Sequence, residues 1–160
     1  MSLATENDSS VSTSDDIQQF LTFTLDDQEF GIEILRVQEI KNFTRVTPIP
    51  NMPACIKGVM NLRGTIVPIV DLRIRFDMAT TQYNQFTVII VVNVGTRIMG
   101  LVVDAVSDVL NVESNAIEAT PDLGSINISF ISGLAKSGDR LVTLLDIEQL
   151  LNDQVSVIAT

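Results

Sequence analysis

The chain of 160 residues contains no His. That removes the commonest general base and the commonest metal ligand, and with them every Ser–His and Cys–His nucleophile pair. Cys55 is the single cysteine, so no internal disulfide can form. It lies between Pro53-Ala54 and Ile56, an apolar context that predicts a buried, inert thiol. Gly95 and Gly100 have the outer spacing of a phosphate loop, but Leu101 stands where that loop needs Lys. Two carboxylate pairs remain, Asp26 with Asp27 and Asp104 with Asp108. The first suits a turn and the second a solvated face, and no neighbouring motif turns either into a glycosidase or divalent-metal pair. No cofactor or metal site is read from these residues. The chemistry points away from an enzyme and toward a binding module.

The elements that must carry such a module are strands. Val, Ile and Thr number 18, 18 and 14, whereas Ala numbers only 8. β-branched residues at that density favour a mainly β protein. Four hairpins can be traced. QFLTFTL and EFGIEI flank the turn Asp26-Asp27-Gln28, and GVMNLRG runs into TIVPIVD. FTVIIVVNV turns at Gly95-Thr96 into RIMGLVVD, and SGLAKSGDRLVTLLD turns near Gly138-Asp139. Asp71 and Asp146 each precede a short helix-like stretch, LRIRF and IEQLL, whose first N–H groups an Asp can cap.

The formal net charge is −10, with 20 acidic and 10 basic side chains. That argues against nucleic acid, which needs a basic surface. The balance is uneven, however: residues 36–97 hold eight bases against three acids, and residues 98–160 hold two bases against nine acids. Two faces of opposite sign would suit different partners. The longest apolar run is five residues, Val88 to Val92, where a membrane span needs about 20. No charged leader precedes Arg36, the first basic residue. The expected location is the cytoplasm, without direct membrane insertion.

The hairpins repeat. A shift of 69 carries Gly31 onto Gly100, Val37 onto Val106, Glu39 onto Asp108 and Ile40 onto Val109. A shift of 75 carries Ile56 onto Ile131, Gly58 onto Gly133, Val67 onto Val142 and Asp71 onto Asp146. The expectation is two small five-stranded barrels, each of two hairpins plus an extra strand, joined by the loop at 77–85. Each core would be thin, so each half would need the other. Residues 1–16, polar and acidic, read as a disordered tail, residues 17–152 as the folded unit and residues 153–160 as a C-terminal tail. PIPNMPACIK at 48–57 would bridge the first half's hairpins, its prolines denying strand pairing.

FGIEILRVQEI, the Pro-rich bridge, IKGVMNLRGTIVPIVDLR and VVDAVSDVL together resemble the CheW family of bacterial chemotaxis coupling proteins, over about residues 17–152. The resemblance implies two SH3-like five-stranded β-barrels packed side by side, with short helices. It implies a non-catalytic, cofactor-free adaptor in two-component signalling. Its partners would be the CheA-type histidine kinase and the cytoplasmic tip of methyl-accepting receptors, at membrane-associated receptor arrays. A CheW-like adaptor of a non-chemotaxis pathway fits the same residues. A small-molecule-binding β-barrel would need convergent polar groups, which the sequence does not offer.

The resemblance also places a receptor groove between the barrels, shaped by the VQEI stretch and the NLRG turn. It implies Val37, Glu39 and Arg63 as receptor-binding residues, with Val106 and Val109 on the repeated stretch and Ile34 as a further candidate. Residues two apart on a strand share a face, so Val37 and Glu39 would present an apolar and a charged group together. Arg63, just before Gly64, would reach out of the barrel from a turn. Gly58 and Gly64 read as structural, supplying backbone freedom at a bulge and a turn.

Overall fold

A computed structural model describes residues 17–76, 78, 83–119 and 130–151. The two tails expected at 1–16 and 153–160 lie outside the described residues, as does most of 77–85. Ten strands run in chain order: β1 (Ile17–Leu25), β2 (Gln28–Glu33), β3 (Val37–Asn42), β4 (Ile56–Leu62), β5 (Thr65–Asp71), β6 (Val88–Val94), β7 (Arg97–Val103), β8 (Ala105–Glu113), β9 (Ile131–Ser137) and β10 (Arg140–Leu145). A helical turn follows the fifth strand of each repeat, α1 (Leu72–Arg75) after β5 and α2 (147–151) after β10. Both carry the cap read from sequence. Asp71 accepts from the Arg73 N–H at 3.0 Å, and Asp146 from the Gln149 N–H at 3.2 Å.

The strands form two five-stranded sheets, ordered β8-β1-β2-β10-β9 (barrel A) and β3-β6-β7-β5-β4 (barrel B). Adding five to a strand number, or subtracting five, converts one order into the other. The duplication is therefore present in the topology, but the repeats have exchanged hairpins. β1–β2 of the first repeat completes the sheet of the second, and β6–β7 completes that of the first. This corrects the expectation that 77–85 separates the barrels: β5 before it and β6 after it belong to one sheet. The sequence shows which segments repeat, whereas pairing between repeats depends on which apolar faces meet in three dimensions.

Two isolated bridges close the sheets. Thr47 pairs with Val59 in barrel B, and Glu118 with Leu134 in barrel A. The bulges are duplicated as well. Register slips between Ile56 and Gly58 on β4 and between Leu144 and Leu145 opposite β9, and between Val37 and Glu39 on β3 and between Leu21 and Phe23 opposite β8.

Three apolar clusters hold the assembly. Met60, Leu62, Val67, Ile69, Ile89, Val91 and Val102 pack together within barrel B. Phe20, Leu110, Val112, Ala135, Val142 and Leu144 pack within barrel A. The largest cluster joins the barrels. It takes Leu21, Phe23, Leu25 and Ile32 from one and Val70, Ile90, Val92 and Leu101 from the other. Cys55 is buried in this joint core, and burial pushes its thiol up, as an apolar site requires.

Candidate functional site: the edge of the inter-barrel core

β3 and β8 are the equivalent strands of the two repeats, and each edges its barrel where the joint core reaches the surface. Ile34, Val37 and Val106 are half-buried and pack against that core. Val109 lies opposite Leu21, whose side chain is in the joint core, and is 47% exposed. Ile40 lies opposite Ile90, also in the joint core, and is 43% exposed. Val37 and Ile40 on β3, and Val106 and Val109 on β8, thus each lie on the face of an edge strand that looks toward the joint core. Sequence reasoning missed Ile40. Its signal was available, because Ile40 is the repeat partner of Val109.

Glu39 is not on that face. The bulge at Gln38 sets Val37 opposite Val92, in the joint core, and Glu39 opposite Val91, inside barrel B. The extra residue reverses the alternation, so Val37 and Glu39 face opposite ways despite being two apart. Glu39 instead meets Arg63, which arrives from the β4–β5 turn. Arg63 donates from Nη2 to Oε1 at 2.7 Å and from Nη1 to Oε2 at 3.4 Å, a two-pronged contact. Its hydrogen bond holds the Glu39 carboxyl below the usual carboxylate range, and Glu39 in turn raises the guanidinium. Arg63 itself has φ 50°, and Gly64, at φ 91°, donates its N–H to Asn61 Oδ1 at 2.7 Å. The NLRG turn is therefore fixed by its own side chain, which aims Arg63 back at β3.

Barrel A carries the matching pair. Asp108, the repeat partner of Glu39, binds Arg140 from the β9–β10 hairpin at 3.1 and 3.2 Å. Arg140 also reaches Glu29 at 2.8 Å, and buried Thr22 shares a hydroxyl contact with Asp108. The Arg140 hydrogen bond, with that of Thr22, lowers the Asp108 carboxyl. Asp108 is exposed, as a solvated face requires, whereas Asp104 is half-buried. Each carboxylate is held by its own arginine, and the two do not form a paired acid site.

A buried polar cluster also escaped sequence reading. Arg73, 1% exposed, donates to Asp71, which is fully buried, and to Asp104 Oδ1 at 2.9 Å. Tyr83 donates to Asp71 Oδ2 at 2.9 Å, and its ring lies 5.0 Å from the Arg73 guanidinium. Burial first, then the Asp71 charge, pushes the Tyr83 phenol up to about 12. Removing either buried partner would strand a charge, so these groups are structural in kind.

Gly58 stands at the β4 bulge with φ 146°. A Cβ there would lie 2.1 Å from the Thr47 carbonyl oxygen, the atom that bridges to Val59. Among the described residues no group of three or more His, Cys, Asp or Glu could hold a metal ion. No described helix is long and apolar enough to cross a membrane.

Two five-stranded barrels that exchange hairpins and pack around a joint core define a duplicated β scaffold. A family model described as the CheW-like domain matches residues 19–155, and the chain belongs to the CheW-like family. It is 47% identical over 138 residues to chemotaxis protein CheW of Klebsiella aerogenes, covering 86% of this chain and 83% of that protein. It is 40% identical to chemotaxis protein CheW of Rhizobium meliloti, covering 83% and 86%. The crystal structure of the scaffolding protein TtCheW from Thermoanaerobacter tengcongensis matches with a TM-score of 0.79 at 32% identity, covering 84% of this chain and 92% of that one.

Proposed function

We propose that the chain is a non-catalytic adaptor that couples the cytoplasmic tip of methyl-accepting chemoreceptors to a CheA-type histidine kinase. The observation that supports this reading is that Val37 and Ile40 on β3, and Val106 and Val109 on β8, are apolar, incompletely buried residues facing the joint core from an edge strand of each barrel. A receptor tip is a helical hairpin, and an amphipathic helix docks by laying its apolar stripe into an apolar groove. The Glu39–Arg63 pair, with Glu39 on the same edge strand as Val37 and Ile40, would offer polar contacts beside that stripe. Repetition across a receptor array compensates for a modest single-site affinity. The adaptor acts at the membrane through the receptors it binds.

The non-catalytic reading rests on the family and on the likeness to a scaffolding protein. A small-molecule site is not favoured. The apolar recess beside Ile49, Ile66 and Ile98, of about 430 Å³, has Thr65, Thr96 and Arg97 as its polar lining residues and no acid among them. Co-sedimentation with receptor-bearing vesicles and purified kinase tests the proposal. Kinase recruitment that depends on this chain supports it, whereas a chain that sediments with neither partner refutes it.

A further inference from the structure

The chain passes between the barrels at two places. β2 of barrel A leads through the turn Ile34–Arg36 to β3 of barrel B, and β7 of barrel B leads through Asp104 to β8 of barrel A. Each crossing delivers one of the two groove strands. Each is also tied by an ion pair to the helical turn after a fifth strand. Arg36 donates to Glu148 of α2 at 2.7 Å, and Arg73 of α1 donates to Asp104 at 2.9 Å. The two pairs occupy repeated places: a shift of 75 carries Arg73 onto Glu148, and a shift of 69 carries Leu35, the neighbour of Arg36, onto Asp104. Their polarity is reversed. In one the crossing supplies the base and the helix the acid; in the other the crossing supplies the acid.

We propose that these ion pairs are matched braces that position the groove strands, and that Arg36 and Glu148 are positioning residues for receptor binding. The tie recurs at both crossings with its charges exchanged, although the repeat shift places Arg36 itself on Ala105. The inference rests on the groove reading above. The two braces differ in strength. Arg73 is 1% exposed and Asp104 27%, and Asp104 also accepts from the Asp26 N–H at 2.7 Å, which locks the β1–β2 turn to the crossing. Arg36 and Glu148 are 36% and 49% exposed, and only Glu33, at 3.8 Å, adds a second acid to Arg36. The first brace is therefore fixed, while the second is screened by salt and adjustable. The first residue it holds is Val37, whose N–H closes the crossing turn on the Ile34 carbonyl.

The test is a charge-reversal cycle on the exposed brace, Arg36→Glu, Glu148→Arg and both together, in the full chain. Three quantities are read: backbone amide exchange around Val37 in the free protein, affinity for a soluble helical-hairpin fragment of a receptor tip, and the thermal midpoint. Each single reversal should speed exchange at Val37 and weaken binding about fivefold, the upper end for an exposed pair, with the midpoint within about 2 °C. The double reversal should restore both exchange and affinity. A double variant that binds as weakly as the worse single overturns the proposal, because Arg36 or Glu148 then touches the receptor directly. Unchanged exchange in both single variants also overturns it. Val37→Ala, measured alongside, separates the two readings. If it binds like wild type, the groove assignment fails, while the exchange data still report on the brace.

Discussion

Gly58→Ala should open barrel B. The perturbation is one methyl group, but it arrives 2.1 Å from the Thr47 oxygen and 2.6 Å from the Thr47 carbonyl carbon. Both are backbone atoms that no rotamer change can move aside. Thr47 must shift by at least about 1.3 Å to reach an ordinary van der Waals contact. That shift breaks the bridge that closes the sheet, Thr47 N–H to Val59 O at 2.8 Å and Val59 N–H to Thr47 O at 2.9 Å. Two such bonds are worth about 0.5–1.5 kcal/mol each, and an alanine held at φ 146° adds about 1–3 kcal/mol of backbone strain. The sum, about 2–6 kcal/mol, is a large part of the stability of a domain of this size. Gly64→Ala is the control. Its φ is 91° but nothing lies within 4 Å, so it carries the strain without the clash. Chemical denaturation of both variants, with thiol labelling of buried Cys55 as a probe of opening, gives the readout. If Gly58→Ala and Gly64→Ala lose the same stability within about 0.5 kcal/mol, the bridge argument is wrong.

Glu39→Ala and Arg63→Ala should each weaken receptor-fragment binding by a few-fold while leaving the thermal midpoint nearly unchanged; calorimetric titration beside a melt checks this. Val37→Ala should cost about 1 kcal/mol, for two half-buried methyl groups, and weaken binding as well, because the residue serves both the joint core and the groove. The carboxyls of Glu39 and Asp108 lie below their ordinary 4.5 and 3.8, so their folded-state stabilisation is present above those values. It is lost as pH falls through the lowered folded values. Denaturation midpoints should therefore hold from pH 7 to about 5 and fall below pH 4.5, and because the Glu39–Arg63 pair lies at the solvent-screened surface the Glu39→Gln variant should follow nearly the same curve. Residues 86–160 expressed alone should show poor amide dispersion, because they supply β6 and β7 of one barrel and β8, β9 and β10 of the other, and complete neither.

The sequence carried the strands, the turns and the duplication, because each is written in local pattern. Alternation marked β1 and β2, Asp26-Asp27 marked a turn whose residues both have positive φ, and Asp71 marked its helix cap. Pairing between repeats was not written locally. Whether β1–β2 joins β3 or β8 depends on which arrangement buries Leu21, Phe23 and Ile32 against Ile90 and Val92, and no single segment reports that. The facing of Glu39 failed for a similar reason. One extra residue at Gln38 reverses every facing before it, and a strand read as strict alternation cannot reveal a bulge set by its partner. The Arg73 cluster was hidden because the DLR triplet looks like a solvated helix start. Its burial arises only when the β7–β8 crossing brings Asp104 over it.

The hairpin exchange bears directly on how such a scaffold can couple two partners. Two barrels joined by a linker could hinge, and a groove between them would vary in width. Here each barrel contains a hairpin of the other repeat, the chain crosses twice, and the joint core draws on both sheets. The barrels cannot separate without exposing that joint core to water, and both crossings tie them together. Large inter-barrel motion is therefore opposed by the loss of apolar burial, and a site spanning both barrels would be largely pre-formed. A pre-formed site loses less ordering entropy on binding. What remains adjustable is local: the turn Ile34–Arg36, held by an exposed ion pair, and the ends of β3 and β8. A receptor helix seated there would press on both barrels at once, because the joint core ties the two together.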